Sequence, residues 1–367
     1  MATTDESHER YDFLDWLRVI AIFVLFFFHT GMIFVGSGWH IVNKETIPSL
    51  QWPIEVAHRL RMPLLFVIAG AGMWFALGRR STGQFLRERT GKLLLPLVTG
   101  MLLVVPPQIY YEWRLQGQWN VSWHHLWFIL SLYVYILLLL PVMLWWRGVA
   151  RHIAPGTWLL CLGIPLGINE HFLKPLFSET HNLVDDWYIF IHYLLLTSYG
   201  YFMASTPGMW KWLCQFRRRS LVLGVMAFVL LVWGFDTGLI QHDSIADQVG
   251  ANVFTWFWVM VFLGYGYRYL SFANPLLAWA REASYPFYIL HQTVIVVIGY
   301  YVVQYAWAPW VKYVTILALS MVACLVLYQL CVRRFAVLRL AFAMKTPAGS
   351  PRRDSTSSRR PSRHNVE

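Results

Sequence analysis

The stretch from Tyr11 to Gly31, YDFLDWLRVIAIFVLFFFHTG, decides the fold, because it is an apolar run long enough to cross a bilayer. It carries Asp15 and Arg18 near its start and a histidine, His29, deep inside it. A helix advances about 1.5 Å and about 100° per residue, so Arg18 and His29 return to nearly the same face, about 16 Å apart. Asp15 precedes Arg18 by one turn, which favours pairing of the two. A polar stripe on a membrane helix is costly, and it predicts a functional site on this face.

The composition of the chain indicates a polytopic membrane protein. Of its 367 residues, 57% are hydrophobic and 13% are charged, whereas soluble domains carry about 25% charged residues. Aromatic residues make up 17%, as interfacial belts require. We therefore predict an all-α, polytopic bundle of about ten spanning helices. The predicted segments are 14–35, 57–78, 93–113, 125–146, 154–170, 186–205, 219–240, 250–270, 284–304 and 312–332. The fifth is the weakest, because glycines and a proline interrupt it, and it is expected to be broken or re-entrant.

The distribution of basic residues predicts the orientation. Every second connection is rich in lysine and arginine, including 79–92 and 217–219, whereas 239–251 has neither. By the positive-inside rule, both termini are expected in the cytoplasm. This pattern also accounts for the net charge of +11 without a nucleic-acid partner. We predict a membrane domain over 1–340 and a disordered basic cytoplasmic tail over 341–367, which is rich in serine, proline and arginine.

The first span and the basic segment at 79–92 contain candidate catalytic and ligand-binding residues. His29 suits a general base or proton carrier, because histidine titrates near physiological pH. The alternative is a hydrogen-bonded packing residue, with Arg18 as a topological anchor. Arg87, Arg89 and Lys92, in RRSTGQFLRERTGKLLLP, could hold a phosphorylated donor, or could serve only as topological charge.

Further candidates lie at the opposite membrane face. Glu55 and Arg59 are four residues apart and can pair on a helix, while Arg59 and Arg61 could bind an anionic or hydroxylated acceptor. An interfacial salt bridge with snorkelling arginines is the alternative. Other polar or aromatic residues predicted near this face, or in the ninth span, are Glu112, His125, Trp127, Tyr285 and His291. The adjacent histidines before Trp127 lack the spacing of a zinc-binding helix, so no metal site is expected.

Several of these motifs together resemble those of the acyltransferase 3 family of integral membrane acyltransferases, in the branch of glucan biosynthesis protein C. LDWLRVIAIFVLFFFH is similar to the family's arginine, ten residues, histidine signature, and FLRERTGKLLLP to its basic motif, with Arg89 and Lys92 as the aligned pair. Lysine in place of the second arginine loses a planar bidentate donor. HLWFILSLY and SYPFYILHQ resemble two further family segments, and RMPLLFVIAGAG a third, with Ala69, Gly70 and Ala71 replacing the usual Ser-Gly-Phe.

The resemblance implies a membrane O-acyltransferase of a bacterial inner membrane. Such an enzyme moves an acyl group, acetyl, succinyl or similar, from cytoplasmic acyl-CoA to a hydroxyl of an extracytoplasmic sugar or glycan. Arg18, Arg87, Arg89 and Lys92 would then bind the donor, and His29 would act as general base or as an acylated nucleophile, with Arg18, Asp15 and His291 beside it. Acyl-CoA would be a co-substrate, and no permanently bound cofactor is expected. Glu55, Arg59, Arg61, Glu112, His125, Trp127 and Tyr285 are assigned to the acceptor side.

A proton-coupled secondary transporter is the main alternative reading. Buried histidines and a broken span suit a carrier. Against it, the sequence shows no internal repeat.

Overall fold

The computed structural model describes residues 11–36, 38–117, 119, 121–149 and 153–344, and these residues are helical with no strand. The predicted all-α class is therefore confirmed. The twelve α-helices of this part are α1 (Asp12–Met32), α2 (Gln51–Gly78), α3 (Thr82–Thr99), α4 (Val105–Gln116), α5 (Trp127–Val149), α6 (Gly163–Leu173), α7 (Trp187–Ser205), α8 (Met209–Asp236), α9 (Ile245–Tyr269), α10 (Pro275–Val302), α11 (Pro309–Leu327) and α12 (Ala336–Ala341). A π-helical turn, Gly100–Val104, joins α3 to α4.

Eight helical segments of the described chain are long and apolar enough to cross a membrane, which makes this an integral membrane protein. They are Asp12–Met32, Pro48–Gly78, Thr82–Leu115, His124–Val149, Met209–Asp236, Ile245–Tyr269, Pro275–Val302 and Pro309–Val332. They match eight of the ten predicted segments. The exceptions are α6 and α7, and the number of crossings and the orientation of the termini stay predictions.

The two exceptions differ for physical reasons. The helix α7 has 19 residues, but four tyrosines, a histidine and other polar residues lower its hydropathy. Several of these, including His192, Tyr193 and Thr197, are buried against the rest of the protein. The predicted fifth segment is interrupted as expected, because a 3₁₀ turn, Thr157–Leu162, precedes α6. With 11 residues, α6 is about 16 Å long, which is about half of the hydrocarbon core.

Small residues set two close helix contacts. A β-carbon added to Gly70 of α2 would lie 1.9 Å from the carbonyl oxygen of Thr197 of α7, and one added to Gly200 would lie 1.9 Å from the carbonyl oxygen of Val67. Glycines on the facing sides of α2 and α7 therefore allow the two helices to pack closely. A β-carbon added to Gly163 or Gly167 would lie 2.7 Å or 2.4 Å from an α-carbon in the first half of α9, so α6 packs closely there as well.

The helices α1 and α10 run in the same direction side by side. Asp15 meets Arg281 at one end, which we call the basic end, and His29 meets His291 towards the other, the histidine end. A helix from the start of the chain and one from near its end thus pack side by side along their lengths. Of the predicted tail over 341–367, residues 345–367 lie outside the described part.

Candidate functional site

Two cavities follow the inner face of α1 and meet at one residue. The first, the basic cavity, has a volume of about 390 Å³, and Arg18 and Ile22 line it. The second, the histidine cavity, has a volume of about 310 Å³, and Leu25 and His29 line it. Tyr288 of α10 lines both cavities. The predicted face of α1 therefore runs along both cavities, with Arg18 and His29 in different ones.

Four cationic side chains line the basic cavity, and an acidic residue organises two of them. Asp15 accepts hydrogen bonds from Arg18 at 2.7 Å and from Arg281 at 3.0 Å. The predicted pairing of Asp15 with Arg18 is thus present, and Arg281 joins it from α10. Arg89 lies across the cavity, with its Nη2 3.4 Å from the carbonyl oxygen of Gly72.

The rest of the predicted donor-binding set is only partly in this cavity. Lys92 lines it, but its ammonium group is paired with Glu88. Arg87 instead lies in a shallow groove beside α12. Tyr285, predicted on the acceptor side, lines the basic cavity, and its hydroxyl donates to the carbonyl oxygen of Lys92 at 3.1 Å.

His29 lies buried in the wall of the histidine cavity among aromatic rings. Its ring stacks against Trp39 at a centroid distance of 5.5 Å and lies 5.1 Å from the ring of His291. Its Nδ1 atom has no hydrogen-bond partner among the described residues. Packing against aromatic rings therefore positions the imidazole, and no hydrogen bond from the described residues occupies its Nδ1 atom.

The two neighbouring histidines are held by backbone carbonyl groups. His291 donates from Nδ1 to the carbonyl oxygen of Tyr288 at 2.6 Å, and His125 donates from Nε2 to that of Ile289 at 2.7 Å. In the neutral rings the proton therefore sits on those nitrogens, which leaves a lone pair on Nε2 of His291 and on Nδ1 of His125. Both of these nitrogens are buried without a partner in the described part.

Arg61 brings a buried positive charge into the same cavity. Its guanidinium carbon lies 3.4 Å from the ring centre of Phe28, and its Nε and Nη1 atoms are buried with no hydrogen-bond partner among the described residues. Arg59, two residues earlier, pairs with Glu55 at 3.0 Å at the surface, as predicted. The two arginines therefore have different environments, and only Arg61 lines the histidine cavity.

A polar network closes one side of the histidine cavity. Nδ1 of His40 donates to Glu112 at 3.1 Å, and the side-chain amide of Gln108 lies 3.2 Å from Nε2 of His40 and 2.9 Å from Nδ1 of His124. His40, Glu112 and His124 place possible ligand atoms within 4.8 Å of one another. The side-chain amide of Gln292 also lies 3.0 Å from Nε2 of His40, so the imidazole nitrogens of this cluster already meet amide donors. We propose no metal here.

A folded loop covers another side of the cavity. Trp127 packs against His181 at a ring distance of 4.2 Å, and Asp186 holds the loop by accepting from the backbone N–H groups of Thr180 and His181. Burial lowers the pKa of His181 to about 4, and burial also raises the pKa of Glu179. Burial thus disfavours the charged forms of both groups, whose side chains lie 3.4 Å apart.

No sequence signal identifies two of these residues. His40 and His181 lie in connections without a recognisable motif. The partner of His40, Glu112, is distant in the chain, and the folded loop brings His181 to Trp127. Of the residues predicted on the acceptor side, Arg61, His125 and Trp127 line the histidine cavity. Glu112 does not line the histidine cavity but bonds to His40, which does. Glu55 and Arg59 line a third cavity beside the histidine cavity.

Comparison with known proteins identifies the class of enzyme. The acyltransferase 3 family model, described as an acyltransferase domain, matches residues 11–329. Glucans biosynthesis protein C of Escherichia coli O157:H7 (strain EC4115 / EHEC) is 21% identical over 92% of this chain and 95% of its own length. The protein of that name from Escherichia coli (strain K12 / DH10B) is 20% identical over the same shares. No solved structure gives a significant match. The chain belongs to the acyltransferase 3 family and is a membrane acyltransferase.

Proposed function

We propose that this enzyme transfers an acyl group from acyl-CoA, which enters from the cytoplasm at the basic end, to a hydroxyl of a sugar or glycan that enters at the histidine end. One observation carries this proposal. A cavity lined by several cationic side chains and a cavity lined by several histidines meet at Tyr288, and the face of α1 that bears Arg18 and His29 runs along both. A donor and an acceptor that arrive from opposite sides of the membrane need such an arrangement.

The basic cavity suits the donor because coenzyme A is a polyanion. Arg18 and Arg89 can offer guanidinium groups to phosphate oxygens, and such charge-assisted hydrogen bonds are among the strongest in proteins. Arg281 adds a third guanidinium, whose position Asp15 fixes. Lys92 would contribute a more weakly directed charge, because it already pairs with Glu88. The thioester arm would then extend towards Tyr288 and His29.

His29 is proposed as the general base. Its imidazole takes the proton of the acceptor hydroxyl while the hydroxyl oxygen attacks the thioester carbonyl carbon, and it returns that proton to the departing thiolate of coenzyme A. An acyl group carried on His29 itself is the alternative sequence of steps. His291 is proposed as a positioning residue, because its ring packs 5.1 Å from that of His29 and is fixed by the Tyr288 carbonyl.

Arg61 is proposed to stabilise the charge of the tetrahedral intermediate. A buried guanidinium with unpartnered N–H groups is costly in a membrane protein unless an anion meets it during turnover. The carbonyl oxygen becomes anionic when the hydroxyl attacks, and donors already in place stabilise that charge without reorganisation. Arg61 shares the histidine cavity with His29, so it is suitably placed for this role.

The name of the relatives supports a glucan as the acceptor, and their bacterial origin supports the inner membrane as the location. The lipid bilayer surrounds the bundle, and we assign neither nucleic acid nor a permanently bound cofactor a part in the reaction. The sugar hydroxyls would approach the wall formed by His125, Trp127 and the loop at His181.

The test is acyl transfer by the purified full chain. With labelled acetyl-CoA or succinyl-CoA and a glucan acceptor, we expect release of free coenzyme A and labelled glucan. The variant His29→Gln should lower kcat by about 10² to 10⁴, the usual contribution of a general base. His242→Gln, at an exposed histidine that lines neither cavity, serves as the control and should keep full activity. Full turnover by the His29 variant contradicts the assignment, and failure to bind acyl-CoA would favour a transporter.

A further inference from the structure

A third cavity of about 200 Å³, the polar cavity, adjoins the histidine cavity. His58 and Tyr193 line both, so the two cavities are neighbours across these side chains. Helices α2, α6, α7 and α9 supply the walls of the polar cavity, and the loop before α7 contributes Glu179. The short helix α6 is thus part of a cavity wall at the histidine end.

Most charges of the polar cavity are paired with one another; Glu179 instead contacts His181, which does not line this cavity. Glu55 pairs with Arg59 at 3.0 Å, and Glu170 pairs with Lys174 at 2.9 Å. The side-chain amide of Asn252 donates to the second oxygen of Glu170 at 2.7 Å. The walls are therefore rich in hydrogen-bond donors and acceptors, while their charges nearly cancel. This chemistry suits a neutral ligand with several hydroxyl groups, in contrast to the cationic basic cavity.

His192 provides an independent sign of a ligand. It lines the polar cavity, only 7% of its surface is exposed, and its Nδ1 atom has no partner among the described residues. Leaving a buried polar atom without a hydrogen bond destabilises the folded protein. A hydroxyl group of a bound molecule would remove that destabilisation. Tyr188 lines the same wall, and its hydroxyl is a further group that a ligand can meet.

We propose that the polar cavity is a second acceptor subsite, which binds the sugar unit next to the one that is acylated in the histidine cavity. This inference rests on the proposed function. The volume of about 200 Å³ lies below the range of about 300 to 1,000 Å³ for drug-sized ligands, so it suits a single sugar ring. An acceptor of two or more units would pass between the cavities beside His58 and Tyr193. On this view α6 and the residue that follows it contribute Glu170 and Lys174 to acceptor recognition.

The experiment compares acceptors of increasing length. Acyl transfer by the full chain is measured with glucose, with glucose disaccharides of both anomeric types and with glucose trisaccharides. For the unmodified enzyme we expect kcat/KM to rise at least tenfold from glucose to one of the disaccharides. His192→Phe should abolish that rise through a higher KM for the disaccharide, while activity on glucose and the KM for acyl-CoA stay unchanged.

Two further variants keep the test decisive. Tyr188→Phe removes one hydroxyl at nearly constant volume and should reduce the rise with length even if His192→Phe does not fold. His171→Gln changes a residue adjacent to Glu170 in sequence that does not line the cavity, so it should keep the rise. The proposal is overturned if the unmodified enzyme shows no rise with length, or if folded His192→Phe and Tyr188→Phe variants both keep it.

Calorimetric binding of the same sugars separates this inference from the proposed function. The unmodified protein should bind a disaccharide at least tenfold more tightly than glucose, and both variants should lose that difference. If the sugars bind in this pattern but no acyl transfer occurs, the transferase proposal fails and the subsite stands. If transfer to glucose proceeds but no additional affinity for a disaccharide is found, the subsite fails and the transferase proposal stands.

Discussion

The close approach of α2 and α7 at Gly70 gives a sharp stability prediction. In Gly70→Ala the added β-carbon would lie 1.9 Å from the carbonyl oxygen of Thr197, so α2 and α7 must separate by about 1.1 Å to reach the shortest tolerated contact, near 3.0 Å. Both contacting groups belong to helix backbones, which cannot rotate away as a flexible side chain can. Overpacking costs about 1 to 3 kcal/mol, and a rigid contact belongs at the upper end of that range. Alanine regains up to about 1 kcal/mol of helix propensity, so we expect a net loss of about 2 kcal/mol.

The measurement is the unfolding free energy in detergent, with Gly72→Ala as the matched control. A β-carbon at Gly72 meets nothing within 4 Å, so that variant should be as stable as the unmodified protein or more stable by up to about 1 kcal/mol. Gly200→Ala should behave like Gly70→Ala, because its β-carbon would lie 1.9 Å from the carbonyl oxygen of Val67. If Gly70→Ala and Gly72→Ala have equal stability, the close approach of α2 and α7 is refuted.

Two other predictions concern the loop at His181 and the basic cavity. Burial lowers the pKa of His181 to about 4, so between about pH 6.5 and pH 4 the unfolded chain takes up a proton that the folded chain does not, and this contribution to stability is lost as the pH falls. Asparagine tolerates the positive φ of 57° at this position. The unfolding free energy of His181→Asn should therefore fall less steeply as the pH decreases. An unchanged slope would contradict this reasoning. Arg89→Gln should raise the KM for acyl-CoA about 10- to 100-fold, as expected for a lost charge-assisted hydrogen bond, while Arg87→Gln, outside the basic cavity, should stay within about twofold. Equal effects of the two arginine variants would argue against the basic cavity as the donor site.

The sequence determined the class of fold and the orientation of one functional face. Apolar runs, few charges and a repeating bias of basic residues predict a helical membrane bundle because these signals are local in the chain. The 3.6-residue period likewise places Asp15, Arg18 and His29 on one face of α1, and each of them meets the interior as expected. The family motifs added the class of reaction, which the family match confirms.

Only the tertiary structure decided which polar groups share a cavity and which are already paired. Arg59 and Arg61 are two residues apart, yet one pairs at the surface and the other lies buried without a partner for its Nε. Tyr285 lies in the basic cavity and bonds to the carbonyl oxygen of Lys92, and His40 meets Glu112 across 72 positions of sequence. Such outcomes depend on how distant helices pack, and helical periodicity carries no information about that packing. For the same reason the sequence could mark the fifth segment as broken, but only the packing of α6 against α9 shows that it forms a cavity wall.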